Sequence, residues 1–176
     1  METKKYIPLA EALKLAEEIK AELQPHCHRL EIAGSIRRRR PFCGDIDMVV
    51  LPKEPNEFTA LFVKLNCVNY LLEHGRQNIS AVLNNGFPIQ IFLAQPQQQE
   101  MFHLQPSNWG SLLLCRTGSK EFNVWFAKQA ISKGLHWNPY AGIQRGAQKE
   151  ILASRDEADL FRALDLDFIP PEKRER

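Results

Sequence analysis

Apolar and polar positions change period several times along the chain, and each change marks an element. From Pro8 to Leu23 the apolar residues Leu9, Leu13, Ala16, Ile19 and Leu23 recur near the helical repeat, with Glu and Lys between them and a proline at the start. This predicts a helix covering one face of a sheet. Gln24-Pro25-His26 breaks it ahead of a strand from Arg29 to Ala33. A second strand is expected where Asp45 and Asp47 alternate with apolar neighbours and run into Met48-Val49-Val50. After a loop from Pro52 to Asn56, the spacing of Phe58, Leu61, Phe62 and Leu65 predicts a helix over Glu57 to Asn66, with Asn56 as its N-cap. Gly75 to Leu83 and Phe87 to Ala94 flank Asn84-Asn85-Gly86, a turn that needs positive φ and so predicts a hairpin. Its second arm should be buried beside the carboxylate strand, which makes the sheet mixed.

Beyond this point the pattern changes. Gln95 to Pro106, with Gln97-Gln98-Gln99, reads as a connector. Ser107 to Leu114 is expected to be a short helix, and Ser119 caps the next, Lys120 to Lys133, which turns Phe122, Phe126, Ala130 and Ile131 inward and ends at Gly134. Leu135 to Ile143 reads as a β-ribbon, and Ser154-Arg155-Asp156-Glu157 as a capping box opening a helix through Leu164. The expected class is α+β: a mixed sheet covered by helices over residues 1–105, then a small α/β unit over 106–176.

Composition narrows the function classes. The 176 residues suffice for one or two small domains, and 44% hydrophobic with 25% charged residues is ordinary for a soluble globular chain. A disordered tail is excluded. With 23 basic residues against 21 acidic ones the formal net charge is only +2, so any nucleic-acid surface must be local, and Arg37 to Arg40 is its candidate. Cys27, Cys43, Cys67 and Cys115 form no CxxC pair, which argues against a zinc ribbon or redox motif, and His26-Cys27-His28 lacks a partner cluster. No signal peptide and no membrane-length apolar run are found, so a cytoplasmic protein without membrane contact is expected.

The densest chemistry lies in Ala33 to Val50, AGSIRRRRPFCGDIDMVV. Strand alternation puts Asp45 and Asp47 on one face about 6.6 Å apart, where two like charges repel by roughly 2.5 kcal/mol at an effective dielectric near 20. A hard divalent cation between them removes that cost, and Mg²⁺ suits carboxylates that face substrate phosphates. The plain alternative is a solvated strand face. Gly34-Ser35 turns the chain into a short helix whose first N–H groups have no internal partner, a setting for an anion. The glycine allows close approach, the serine hydroxyl adds a donor, and Arg37 and Arg38 supply charge and paired hydrogen bonds. Taken alone, the arginine run is equally a basic surface loop. Together the two halves describe a site for a metal-chelated nucleoside triphosphate.

GSIRRRRPFCGDID resembles the G-S-x-R-R…G-D-x-D signature of the DNA polymerase β-like (family X) nucleotidyltransferases. The resemblance implies a nucleotidyltransferase palm in which Asp45 and Asp47 hold metal, Mg²⁺ or Mn²⁺ in its place, while Gly34, Ser35 and Arg38 contact the triphosphate. Gly44 is then the small residue that lets the strand begin beside the phosphates. Thr117-Gly118-Ser119 with Phe122-Asn123 is similar to the family's T-G-S-x-x-F-N, and FIPPEKR to the tail of its thumb. By that likeness Gly118, Ser119 and Asn123 join the nucleotide-binding set, with Asn123 toward the base. The likeness runs from the first helix to Arg174, so only a palm and a thumb are expected, acting as a monomer on a nucleoside triphosphate and gapped or primer-template DNA. With so small a basic surface, DNA affinity should depend strongly on salt.

The sequence departs from the family at three places. Gln90 stands where a third aspartate completes the metal site and takes the proton of the attacking 3′-hydroxyl; an amide cannot do the latter. A slowed or inactive relative, a substitute carboxylate such as Glu100 or Glu121, and a shifted strand alignment are the three explanations. Cys115-Arg116 replaces an aromatic pair, and Ala127 stands where an arginine often faces the template. Three functions follow: a minimal DNA-extending nucleotidyltransferase with Asp45, Asp47 and Gln90 at its catalytic centre, an impaired relative that binds nucleotide or a DNA gap, and a nucleotidyltransferase for a protein, tRNA end or small molecule.

Overall fold

In a computed structural model, which describes residues 5–99 and 104–175, the chain divides into two compact units between Leu93 and Ala94. The first contains β1 (Ile7–Pro8), α1 (Leu9–Leu23), β2 (Cys27–Ile32), α2 (Gly34–Arg37), β3 (Phe42–Cys43), β4 (Ile46–Pro52), α3 (Pro55–Val63), β5 (Val68–His74), β6 (Asn78–Leu83) and β7 (Pro88–Leu93). Five of these strands form a mixed sheet in the order β2-β4-β7-β6-β5, with β4 and β7 parallel and the other pairs antiparallel. One face is apolar. Ile46, Met48 and Val50 of β4 with Ile89, Ile91 and Leu93 of β7 meet Ala12, Ala16, Ile19 and Leu23 of α1 and Phe58 and Phe62 of α3 in a single buried cluster. Alternation sends the intervening residues of β4 and β7 to the other face.

The hairpin at Asn84-Asn85-Gly86 forms as expected, with Gly86 at φ 79° and Asn85 Oδ1 accepting from the Phe87 N–H at 2.9 Å. Other details differ. Leu13 is 41% exposed, and Ala12 takes its place in the core. Asn56 is not the cap of α3: Pro55 occupies the first helical position, Glu54 precedes it, and no side chain caps the end. β5 was not predicted, because shifts of register between Val68 and Tyr70 and between Leu71 and Glu73 destroy its alternation, and as an edge strand it leaves Tyr70 and Leu72 exposed.

The second unit contains the pair β8 (Gln98–Gln99) and β9 (Leu104–Gln105), then α4 (Trp109–Thr117), α5 (Lys120–Ser132), β10 (Leu135–Asn138), β11 (Gly142–Arg145), β12 (Glu150–Ala153) and α6 (Glu157–Ala163). The last three strands form an antiparallel sheet in sequence order, one strand more than the expected ribbon. Its core is aromatic: Phe126 lies edge-on to Trp137 at 5.0 Å and to Phe161 at 5.2 Å, with Phe122 stacked beside it. Ser119 caps α5 by accepting from the Phe122 N–H, as expected, whereas Ile131 is 65% exposed rather than inward. The capping box at Ser154 does not form, because Ser154 Oγ donates to the Ser107 carbonyl and Glu157 is taken by Arg174. Among the described residues no helix is long and apolar enough to cross a membrane.

Candidate functional site

The first unit brings the turn and one of the two carboxylates, Asp47, together. β2 ends at Ile32, and the Ala33 N–H donates to the Asp47 carbonyl at 2.7 Å, which anchors the turn to β4. Gly34 then takes φ 58°, and a Cβ added to it would overlap Asp47 Oδ2 and lie 2.8 Å from Asp47 Cγ. Only a residue without a Cβ permits the backbone to lie against that carboxylate. The next residue carries the second signal: Ser35 Oγ is buried and has no hydrogen-bond partner. A buried hydroxyl without a partner costs about 1–3 kcal/mol, so a donor held there suits a site that a ligand oxygen completes.

The arginines follow on a loop fixed by backbone bonds. Arg37 N–H donates to Ala33 O and Arg38 N–H to Gly34 O, both at 3.2 Å, and Arg40 N–H to Ser35 O at 3.0 Å. Arg37 and Arg38 are half-buried, while Arg39 and Arg40 are exposed. Gly44 is buried between Cys43 and Asp45; Asp45, just ahead of β4, and Asp47, within it, are both half-buried.

Parallel pairing puts Gln90 of β7 directly opposite Asp47 of β4, and antiparallel pairing puts Ser80 of β6 on the other side of Gln90. The row Asp47, Gln90, Ser80 therefore crosses three adjacent strands on one face. Gln90 occupies this row within an unbroken register, which argues against a shifted alignment. Of the substitute carboxylates, Glu100 lies outside the described residues, and Glu121 is exposed in the first turn of α5 in the other unit. No cluster of three or more His, Cys, Asp or Glu that could hold a metal is found among the described residues. The donor set is thus two carboxylates and one amide. It fits a divalent cation that also binds phosphate oxygens, because the Gly34 turn and the Ser35 hydroxyl adjoin Asp47 and leave ligand positions for the phosphates to fill.

Gly118, Ser119 and Asn123 lie in the second unit, with Gly118 at φ 71° and buried. Ser119 is held by the tail, its N–H and Oγ donating to the Arg174 carbonyl at 3.3 and 3.0 Å. Asn123 Nδ2 donates to the Cys115 carbonyl at 2.8 Å, while its Oδ1 is buried without a donor. That amide is oriented and keeps one acceptor in hand. Arg116 Nη2 donates to the Tyr140 hydroxyl at 2.6 Å, with the guanidinium 5.7 Å from the ring centre.

Sequence reasoning missed the residue that ties this unit together. Arg174 is fully buried; it donates to Glu157 Oε1 at 2.5 Å and to the Ile169 carbonyl at 2.8 Å, and lies 5.4 to 5.6 Å from the rings of Phe122, Phe161 and Phe168. The only hint was the Pro-Pro-Glu run before it, which forms a single 3₁₀ turn, Pro171–Lys173, that swings the arginine inward.

Comparison with known proteins gives three likenesses. Residues 112–175 match the family of the DNA polymerase beta thumb. Over 170 residues the chain is 25% identical to the DNA polymerase/3'-5' exonuclease PolX of Bacillus subtilis (strain 168), a stretch that is 96% of this chain and 28% of that protein. Two crystal structures of Leishmania infantum polymerase beta, a ternary P/T complex and a ternary gap complex, superpose with TM-score 0.76 at 22% identity. They cover 98% of this chain and 77% and 71% of those chains, and their mixed α+β fold is the fold described above.

Proposed function

We propose that the chain is a polymerase β-like protein of family X and, from that premise, a metal-dependent nucleotidyltransferase that adds a nucleotide to a DNA 3′-end, slowed by Gln90. The observation that carries the reading is the Gly34 turn pressed on Asp47 with the unpartnered Ser35 hydroxyl beside it. In this reading Asp45 and Asp47 hold Mg²⁺, or Mn²⁺ in its place. When bound, such a cation offsets the triphosphate charge and that developing on the leaving oxygen.

The chain's own residues do the rest. Ser35 donates to a phosphate oxygen, Gly34 lets the backbone approach, and Arg38 contributes charge beside them. The 3′-oxygen forms its bond to the α-phosphorus as the bond to the β-phosphate oxygen breaks, and pyrophosphate leaves with the electron pair. Gln90 orients the hydroxyl through its amide but takes no proton, so the proton passes to solvent. A positioned base contributes about 10²- to 10⁴-fold, and that factor is missing. Asn123 presents Oδ1 to the base of the incoming nucleotide, and gapped or primer-template DNA is the acceptor.

Extension of a gapped DNA with Mg²⁺ and with Mn²⁺, run beside a triphosphate titration, tests this. Slow extension that Asp45→Asn abolishes and Gln90→Asp accelerates by about 10²- to 10⁴-fold is expected. No gain from Gln90→Asp refutes the assignment of the missing base. A second reading is favoured by the absence of a three-acid cluster among the described residues: the protein binds Mg²⁺-triphosphate or a DNA gap without turnover. Tight triphosphate binding with no extension in either metal selects it.

A further inference from the structure

The site above uses only the first half of the arginine run. Arg39 and Arg40 are exposed, and they lead into a place where two aromatic rings stand in solvent, Phe42 at 62% and Tyr6 at 61% exposure. Most phenylalanines are buried, Phe58, Phe62, Phe87, Phe92, Phe122, Phe126 and Phe161 among them, and the other exposed rings, Tyr70 at 52% and Phe168 at 47%, stand singly.

Backbone pairing fixes how the rings relate. β1 and β3 run antiparallel with Ile7 opposite Cys43 and Pro8 opposite Phe42. Ile7 and Cys43 are buried, so alternation turns Tyr6, Pro8 and Phe42 outward together, with Tyr6 and Phe42 in diagonal positions whose backbones lie about 7–8 Å apart, within reach of each other's rings. The loop that carries the cations is held as well. Arg39 N–H donates to Ile36 O, Arg40 N–H to Ser35 O, and Leu9 N–H to Pro41 O, each at 3.0 Å. The backbone of the arginine loop is therefore fixed next to the strand that carries Phe42, with Arg39 and Arg40 exposed on it, and is joined through Ser35 to the phosphate turn.

We propose that the outward face of the β1–β3 ribbon, Tyr6 and Phe42 with Arg39 and Arg40 beside them, binds single-stranded DNA, one or two unpaired nucleotides at a time. Two exposed rings offer π-faces that any unpaired base can stack on, and two adjacent cations meet the phosphates that link those bases. A duplex keeps its bases stacked internally and gains nothing from the rings. The strip is short because the groove beyond Arg39, lined by Leu9, Leu13, Ile32 and Ile36 with charges of both signs, Glu17 and Glu31 against Lys20 and Arg37, offers no further ring for a base to stack on. The proposal does not depend on turnover or on Gln90.

Fluorescence anisotropy of the full chain with a labelled oligothymidylate of about a dozen nucleotides tests it, against a blunt duplex of the same length. Phe42→Ala should weaken single-strand binding by about 5- to 150-fold and leave duplex and Mg²⁺-triphosphate affinities unchanged. Phe42→Trp should restore it, with the added tryptophan fluorescence quenched by the single strand and not by the duplex. Arg39→Gly, which suits the φ of 58° at that position, should weaken binding and reduce the salt slope by about one ion. Unchanged single-strand affinity in Phe42→Ala, an equal loss on duplex, or failure of Phe42→Trp to restore binding overturns the proposal and leaves a protein-contact face or a bare charge patch.

Discussion

Replacing Gly34 by alanine separates backbone strain from damage to the site, provided Gly86→Ala is measured beside it. Both glycines have left-handed φ, 58° and 79°, which costs a residue with a Cβ about 1–2 kcal/mol. Around Gly86 an added Cβ meets nothing within 4 Å, so that variant loses the strain energy alone. At Gly34 the same Cβ overlaps Asp47 Oδ2, and Asp47 cannot withdraw, because its carbonyl accepts from Ala33 at 2.7 Å and its strand is paired on both sides. The carboxylate must rotate off the turn. Disturbing the orientation of a metal-liganding group costs roughly 10- to 100-fold in metal affinity. Urea unfolding should therefore show Gly86→Ala destabilised by about 1–2 kcal/mol and Gly34→Ala by at least as much. Titration calorimetry with Mg²⁺ and a non-hydrolysable triphosphate should show Gly86→Ala binding as wild type and Gly34→Ala binding about 10- to 100-fold more weakly. If Gly34→Ala binds as tightly as Gly86→Ala, Asp47 and the turn do not share a ligand, and the site is wrongly drawn.

Arg174→Ala strands Glu157, 7% exposed at its side chain, and should destabilise the second unit by about 3–5 kcal/mol by urea unfolding, whereas Arg174→Met combined with Glu157→Leu should recover most of the loss. Phe126→Ala, which removes a buried ring touching Trp137 and Phe161, should cost about 3–5 kcal/mol in the same assay. Burial pushes the Cys27 thiol up to about 11, with Lys53 opposing the shift, and the thiol donates to the Leu23 carbonyl. The unfolded thiol ionises near its ordinary value of 9.0 while the folded one stays protonated to about 11, so stability should fall as pH rises between those values. Urea midpoints across that range should show the decline in wild type and a flatter profile in Cys27→Ala.

Elements with an unbroken period were legible in the sequence. α1, β4 and the β6–β7 hairpin follow from Ala16, Ile19 and Leu23, from Met48-Val49-Val50, and from Asn84-Asn85-Gly86. What failed were the signals that a tertiary partner can take over. Ser154 and Glu157 have the spacing of a capping box, yet Ser107 and Arg174 hold them, because a buried guanidinium needs a carboxylate more than an exposed helix end needs a cap. β5 was silent because two register shifts in seven residues scramble its faces. For the site, residue type and order were enough to pair the turn with Asp47. Cross-strand register was not readable from spacing alone, since a loop and a helix separate β4 from β5, and two further strand turns lead to β7.

In the proposed function, that register is where the chemistry is decided. Asp47 and Gln90 face each other across a parallel pair, so the identity of one side chain sets whether the sheet face carries two negative charges or three. With two, the face still balances a cation that brings its own phosphates, and Ser35 and the Gly34 turn supply the remaining contacts from the opposite side. In that reading, with an amide in the third place, a second cation lacks the charge to hold it, and beyond Asp47, which the first cation occupies, no group in the row can accept a proton at neutral pH, since Ser80 beyond Gln90 is a hydroxyl. In the proposed function, binding and turnover therefore separate at a single position. There the turn governs the first and the strand opposite governs the second, which is why the two glycine variants and Gln90→Asp interrogate different halves of the same site.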